Sequence, residues 1–389
     1  MTSPGQAFQT PSAIETKGGS SVTYKVRFVN PGRLYKLLKD ELDQAYFEVM
    51  TRGDFIDREQ LRSFEENLAR FVGTRYAVGL NSGYDALHLS LRAVGIGSGD
   101  EVIVPAHTFL ATVSAVANVG ATPVLVDVGK DFNIDVDRIE EAITDRTRGI
   151  IPVHLNGYMA DMIRITELAK RYRLIIVEDA CQSLGASQNG RRAGSWGLTG
   201  CWSFYPFKIL GGYGDGGAIT TDDSSVALFA RRMRYNGEDR ETGDYHGHGF
   251  TCLLDNLQAA FLDVKLRYLP AWILKRRQIA ERYRYAFQNI KDLQLPHYDS
   301  ADRDHVYQNY VVRAKDGDAF SDHLKRNGIE VLVQWRKPYY RHKALGLFDH
   351  GFPETEAISR EVCSLPMNVE LDDEEIVQVI KVVRSYYLS

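Results

Sequence analysis

Residues 76–127 read YAVGLNSGYDALHLSLRAVGIGSGDEVIVPAHTFLATVSAVANVGATPVLVD, and this stretch decides the fold. It opens on the apolar run Tyr76–Leu80, turns at Asn81-Ser82-Gly83, and enters a helix whose Leu87, Leu91 and Val94 share one face. A second apolar run, Glu101–Val104, is stopped by Pro105. A small-residue helix over Leu110–Val119 follows, and a third run, Pro123–Val126, ends at Asp127. Short apolar runs alternating with amphipathic helices imply parallel strands covered on both faces by the helices between them. The alternation continues through a helix at Ile134–Thr144, a strand at Gly149–Val153, a helix at Met162–Tyr172 and a strand at Leu174–Val177. Strands at Cys201–Phe204 and Ala218–Thr220 then flank a glycine-rich segment. The expected class is α/β, with a large mixed, mostly parallel sheet flanked by helices.

Working outward, Pro31–Met50 and Asp57–Phe71 read as helices, and residues 1–24, rich in Ser, Thr and Gly, as a flexible tail. On the other side a long helical pattern runs from about Leu257 through Lys265 and Arg276 to Phe287. Strands at Tyr307–Arg313 and Glu330–Gln334 then mix with helices at Ala319–Asn327 and Asp373–Tyr386, which suggests a smaller C-terminal α+β domain. The expected division is a tail over 1–24, a large domain over 25–265 and a small domain over 266–389, with no internal repeat. A net charge of −4, with both signs interspersed and no basic block, argues against a nucleic-acid partner. No run approaches the roughly 18 apolar residues of a membrane span, and the first twenty residues lack the apolar core of a secretory signal. Cys181, Cys201, Cys252 and Cys363 form no CxxC pair, so neither a zinc ribbon nor a disulfide framework is expected. A cytoplasmic protein without a metal site fits these features.

Ligands of open α/β sheets bind beyond the carboxyl ends of the strands, and three unusual segments fall there. Asn81-Ser82-Gly83-Tyr84 starts a helix, where free N–H groups and the helix dipole suit a phosphate, although a serine N-cap beside a glycine turn looks the same. Glu178-Asp179 closes an apolar strand. A carboxylate there serves as a metal ligand, a general base, a partner for a protonated ring nitrogen, or simply a helix cap. The third segment, Ser203-Phe204-Tyr205-Pro206-Phe207-Lys208-Ile209-Leu210-Gly211-Gly212-Tyr213, is the most informative. Lys208 is the only cation between Trp202 and Tyr213. Most lysines are solvated surface groups, but one held among apolar groups loses hydration, its pKa falls, and its neutral amine becomes a nucleophile. A nucleophilic lysine, a carboxylate and a phosphate-binding helix start together suggest pyridoxal 5′-phosphate (PLP). In that reading Lys208 captures the aldehyde and later moves the substrate's proton, while Asp179 keeps the pyridine nitrogen protonated.

Several longer motifs, in order, carry a resemblance to a known family: residues 95–105 (GIGSGDEVIVP), 119–124 (VGATPV), 178–182 (EDACQ), 203–208 (SFYPFK) and 214–218 (GDGGA). From about residue 26 onward the chain resembles the DegT/DnrJ/StrS sugar aminotransferases, a branch of the fold-type I PLP enzymes. The resemblance implies that Lys208 is the Schiff-base lysine, Asp179 the pyridine-nitrogen partner, and Gln182 a hydrogen-bond partner on the ring-hydroxyl side. It implies that Phe109 stacks on the ring, and that Ser82, Gly83, Tyr84 and Ser203 cradle the phosphate. Asn236 is implied to reach the phosphate of the other subunit's cofactor, which makes the active unit a homodimer with shared sites.

The expected reaction is transfer of an amino group from glutamate (or glutamine), through the pyridoxamine form, to a keto sugar. The family's usual acceptors are nucleotide-linked 3- or 4-keto-6-deoxyhexoses, and Pro105–Phe109 looks like the dTDP-3-keto-sugar enzymes. Three departures bear on the acceptor. Tyr84 stands where the family usually has Thr. Gly249-Phe250-Thr251-Cys252-Leu253-Leu254-Asp255 lacks the Asn and Arg of a Gly-Tyr-Asn-x-Arg-Leu-Asp pattern, and Gln334-Trp335-Arg336 replaces a His-Tyr-Pro pattern. A non-nucleotide keto sugar or a keto-cyclitol therefore stays open. Sugar dehydration is disfavoured because that subgroup has a histidine where this chain has Lys208. A PLP-binding regulatory protein without turnover is disfavoured by the intact Lys208, Asp179 and Gln182.

Overall fold

The computed structural model describes residues 24–297, 302–347 and 351–387, so the tail expected over 1–24 lies outside the described residues but for Tyr24. In chain order the strands are β1 (Tyr76–Leu80), β2 (Glu101–Pro105), β3 (Thr122–Val126), β4 (Thr147–Ile150), β5 (Ile175–Asp179), β6 (Ser187–Gln188) and β7 (Arg191–Arg192). They continue with β8 (Thr199–Ser203), β9 (Gly217–Thr221), β10 (Leu293–Gln294), β11 (Arg303–Asp304), β12 (Tyr310–Ala314) and β13 (Val362–Leu365). Seven of them form one sheet in the order β1-β9-β8-β5-β4-β2-β3. From β8 to β3 every pairing is parallel, while β9 runs antiparallel to both β8 and β1. The carboxyl ends of β1, β2, β5 and β8 therefore lie along one edge.

Period-two alternation divides these strands between two apolar cores. Ala77, Ile103, Ile176, Trp202 and Ala218 face a core completed by the helices Glu59–Val72, Met162–Tyr172 and Asn256–Leu266. Their neighbours Val78, Val102, Val177, Cys201 and Ile219 face another, built with the helices Gly83–Ala93, Leu110–Asn118 and Ser224–Met233. A three-stranded antiparallel sheet, β10-β12-β13, shares a further core with the helices Leu269–Phe287, Gly317–Arg326 and Asp373–Tyr387.

Four expected elements differ. Pro31–Met50 is two helices, Pro31–Leu37 and Lys39–Arg52, parted at the half-in residue Leu38 (φ −117°, ψ 17°). The long C-terminal pattern likewise breaks into Asn256–Leu266 and Leu269–Phe287. Pro270 in the first turn of the second helix has no N–H to continue the first. The helix expected over Ile134–Thr144 is a single turn, Val136–Ile139, followed by a 3₁₀ turn. Residues 330–334 do not form a strand. Leu332 makes one isolated bridge, to Ser364, and the strand beside it is β13. Trp335 takes a left-handed φ of +49°, which ends the extended run.

Candidate active site

Lys208 sits in the connection between β8 and β9, whose ends are held together by the Ser203–Gly217 pair. Inside the loop, the Lys208 N–H donates to the Tyr205 carbonyl at 2.8 Å and the Gly212 N–H to the Phe204 carbonyl at 2.7 Å. The turn is too tight for a side chain at residue 211, where a Cβ would lie 2.5 Å from the Pro206 carbonyl oxygen, so glycine is required. The Lys208 ammonium has no hydrogen bond or ion pair among the described residues. Burial pushes its pKa down, against the opposing pull of Cys181 and Asp179. The result is an amine with access to its neutral form.

Asp179 ends β5 and is buried. Its Oδ2 accepts from the Thr112 hydroxyl at 2.7 Å and its Oδ1 from the Cys181 N–H at 3.2 Å. Sequence reasoning missed Thr112. The available signal was its place three residues beyond Phe109, in the first turn of the helix Leu110–Asn118. Next door, Glu178 is fully buried and accepts from the N–H groups of Gly194 (2.8 Å), Trp196 (2.6 Å) and Gly197 (2.7 Å), and from His154 Nε2 at 2.9 Å. His154 Nδ1 accepts from the Ala160 N–H, so Nε2 carries the hydrogen given to Glu178. Glu178 is thus consumed by the fold, which leaves Asp179 as the carboxylate at the edge. Gln182 uses Oε1 to accept from the Asn156 N–H at 2.9 Å.

The start of the helix Gly83–Ala93 lies against this group. A Cβ on Gly83 would come within 2.7 Å of Cys181 Sγ and 2.9 Å of Ser203 Cβ, which places Gly83, Cys181 and Ser203 together. Ser82 is the N-cap. Its Oγ accepts from the Asp85 N–H at 3.1 Å and donates to the Asp85 carboxylate at 2.6 Å. Tyr84 turns its hydroxyl to Asn118 Nδ2 (2.7 Å). The hydroxyls of Ser82 and Tyr84 are therefore committed elsewhere, and what this turn offers a ligand is the backbone N–H groups of the first turn.

Phe109 caps the helix Leu110–Asn118 and is 58% exposed. Its ring lies 6.4 Å from that of Trp335, which also meets the buried His107 edge-on at 5.1 Å. Burial holds the His107 imidazole down at about 3. Asn236 stands apart from these residues. It is exposed, has a φ of +58°, and accepts on Oδ1 from the Thr251 hydroxyl at 3.1 Å. The structure thus gathers Lys208, Asp179, Gly83 and Ser203 around Cys181, with Gln182 beside Asp179 in the chain. It joins Phe109 to Trp335, and joins Asn236 to the segment that departs from the family pattern.

A desolvated lysine, a buried carboxylate and a helix start thus meet at one edge of an α/β sheet, and the comparisons name the family. The chain belongs to the DegT/DnrJ/EryC1/StrS aminotransferase family, whose model matches residues 36–384. The dTDP-3-amino-3,4,6-trideoxy-alpha-D-glucose transaminase of Streptomyces venezuelae is 38% identical over 368 residues, covering 94% of this chain and 97% of that protein. A protein of Geobacillus stearothermophilus called pleiotropic regulatory protein is 38% identical over 360 residues, covering 91% of this chain and 96% of its own length. The X-ray structure of S. venezuelae DesV superposes with a TM-score of 0.91 at 38% identity, over 94% of this chain and all of that one.

Proposed function

We propose that this chain is a PLP-dependent aminotransferase that passes the amino group of glutamate to a keto sugar, with a dTDP-linked 3- or 4-keto-6-deoxyhexose as the favoured acceptor. One observation carries the reading: a desolvated lysine, Lys208, without a partner among the described residues, lies within electrostatic reach of the Asp179 carboxylate. The residues present fit PLP. The absence of a Cβ at Gly83 lets the start of the helix Gly83–Ala93 pack against Cys181 and Ser203, and the free N–H groups of that first turn suit a phosphate beside Ser203. Asp179, fixed by Thr112, would hold a protonated ring nitrogen. Gln182 keeps its amide N–H groups uncommitted among the described residues for a ring hydroxyl, and Phe109 would cover a ring face. When bound, PLP supplies an aldehyde that takes up the donor's nitrogen and a ring that accepts the electrons of a broken C–H bond. Lys208 holds the group at rest and, once displaced, moves the proton at the donor's α-carbon.

We further infer a cytoplasmic homodimer with shared sites, and a division into large and small domains near residue 265. Tyr205 and Phe207, 49% and 48% exposed beside Lys208, support a partner surface at this edge, as does the exposed Asn236. No helix among the described residues is long and apolar enough to cross a membrane. The name of the Geobacillus relative favours a second reading, a PLP-binding regulator, which an intact Lys208–Asp179 pair argues against. The deciding experiment incubates the PLP-loaded protein with glutamate and then with a panel of keto sugars. The expected result is a visible band that bleaches with glutamate and returns fastest with dTDP-linked acceptors. Bleaching without return on any acceptor would overturn the sugar assignment, and an unbleached band would favour the regulator.

A further inference from the structure

The two peptides that flank Lys208 are gripped by one side chain from a distant segment. Gln308 Oε1 accepts from the Ile209 N–H at 2.6 Å, and Gln308 Nε2 donates to the Phe207 carbonyl at 2.9 Å. A primary amide carries an acceptor and a donor on adjacent atoms, so it bridges a C=O and an N–H that sit two residues apart on one side of the chain. With the Lys208 N–H bonded to the Tyr205 carbonyl, both peptide planes next to Lys208 are fixed, and with them the direction of its Cα–Cβ bond.

Gln308 is itself held. It is 6% exposed, and the buried Arg276 reaches the carbonyls of Tyr307 (2.9 Å), Gln308 (3.3 Å) and Met367 (2.7 Å) with Nη1. Tyr307 before it takes a left-handed φ of +50°, an uncommon conformation for a bulky residue that turns the chain here. Asn309 after it donates from Nδ2 to Asn156 Oδ1 at 3.2 Å, and the Asn156 N–H donates to Gln182. Two consecutive side chains thus brace the site, one at the peptides beside Lys208 and one at Asn156, whose N–H holds Gln182.

We propose that Gln308 is a positioning residue that aims the Lys208 amine through the backbone on either side of it. The proposal rests on Lys208 being the cofactor-bearing lysine. Neither hydrogen bond touches a ligand, so the effect is on orientation alone, and misplacing a reacting group by about 1 Å lowers rates on the order of 100-fold.

The test compares holoenzymes of wild type, Gln308→Leu, which loses both bonds, and Gln308→Glu, which keeps the acceptor and loses the donor. For each, the pH titration of the visible band of lysine-bound cofactor is recorded with single-turnover kinetics on glutamate, and folding is followed by circular dichroism. Gln308→Leu is expected to lower the maximal rate roughly 10- to 100-fold, to leave KM for glutamate within about twofold, and to move the titration midpoint. Gln308→Glu is expected to regain rate toward acid pH, where a protonated carboxyl again donates to the Phe207 carbonyl. A purely structural residue would change melting temperature and leave the midpoint and pH profile alone. Unchanged midpoint and rate in either folded variant overturns the proposal, and Gln308→Glu decides the matter where Gln308→Leu does not fold. Borohydride reduction of wild type followed by peptide mapping separates the two levels. Label on another lysine sinks the reading of Lys208 itself, whereas label on Lys208 with indifferent Gln308 variants sinks only the role of Gln308.

Discussion

Two regions along the carboxyl edge of the sheet are built in opposite ways. Around Lys208 the polar groups of Asp179, Glu178 and Gln308 are buried and bonded to the fold, while the lysine amine is left uncommitted among the described residues. In the two separate pairs Asn236–Thr251 and Phe109–Trp335 the side chains are more exposed, and each pair meets across a single contact. The first region resembles an interior, where every group has one position. The second is a rim, whose groups are free to be exchanged. The proposed cofactor chemistry lies in the first, and the proposed acceptor recognition lies at Thr251 and Trp335 in the second, beside the cofactor contacts proposed for Phe109 and Asn236. That division explains how a family motif persists around Lys208 while the chain departs from the pattern at Thr251, Leu253 and Gln334.

The contrast breaks most sharply at Lys208. Lys208→Ala is expected to lower kcat by about 10⁴-fold or more, since it removes both the nucleophile and the base. Circular dichroism should be unchanged, because the amine supports no hydrogen bond of the fold among the described residues. Retained activity would end the interior assignment. At the rim, Trp335→Ala is expected to change kcat/KM for the acceptor roughly tenfold and to reorder a panel of acceptors. The glutamate half-reaction should stay within about twofold, and equal losses in both halves would dissolve the distinction.

A pH dependence of stability belongs to two buried histidines. Burial depresses the imidazoles of both His107 and His305 to about 3 from an ordinary 6.5. Below pH 6.5 the unfolded chain binds protons that the folded chain refuses, so stability present at neutral pH is lost progressively as pH falls toward 3. The slope is at most about 1.4 kcal/mol per pH unit for each histidine. Urea denaturation between pH 7 and 4 measures it, and replacing both histidines with glutamine should flatten the curve. A slope that survives the replacement would assign the acid sensitivity to other groups.

Much of the fold was legible because strands buried on both faces are written as short unbroken apolar runs, as at Val102–Val104 and Ile175–Val177. Lys208 and Asp179 stood out because a charge beside such a run has few structural uses. The rest depended on partners distant in the chain. Nothing near Gln308 signals that it meets Phe207 and Ile209, about a hundred positions away, and Thr112 reads as an ordinary helix threonine until Asp179 is placed beside it. The strand expected at residues 330–334 failed for a related reason. Its apolar centre, Val331–Val333, reads as a strand, but Trp335 leaves the extended region at once, and β12 takes its ladder from Val362–Leu365 instead.

The antiparallel course of β9 limits how far the chain tolerates change in length. A parallel strand after β8 would have needed a long crossover, and such connections absorb insertions readily. Here the connection from Phe204 to Gly216 is a closed loop between neighbouring strands, with its two ends paired and its middle tied at Gly212, Phe207 and Ile209. Every residue of β9 is buried, so a one-residue slip would turn each of its side chains to the opposite core. The distance in sequence from Ser203 to Gly217 is consequently as much a part of the site as any side chain in it.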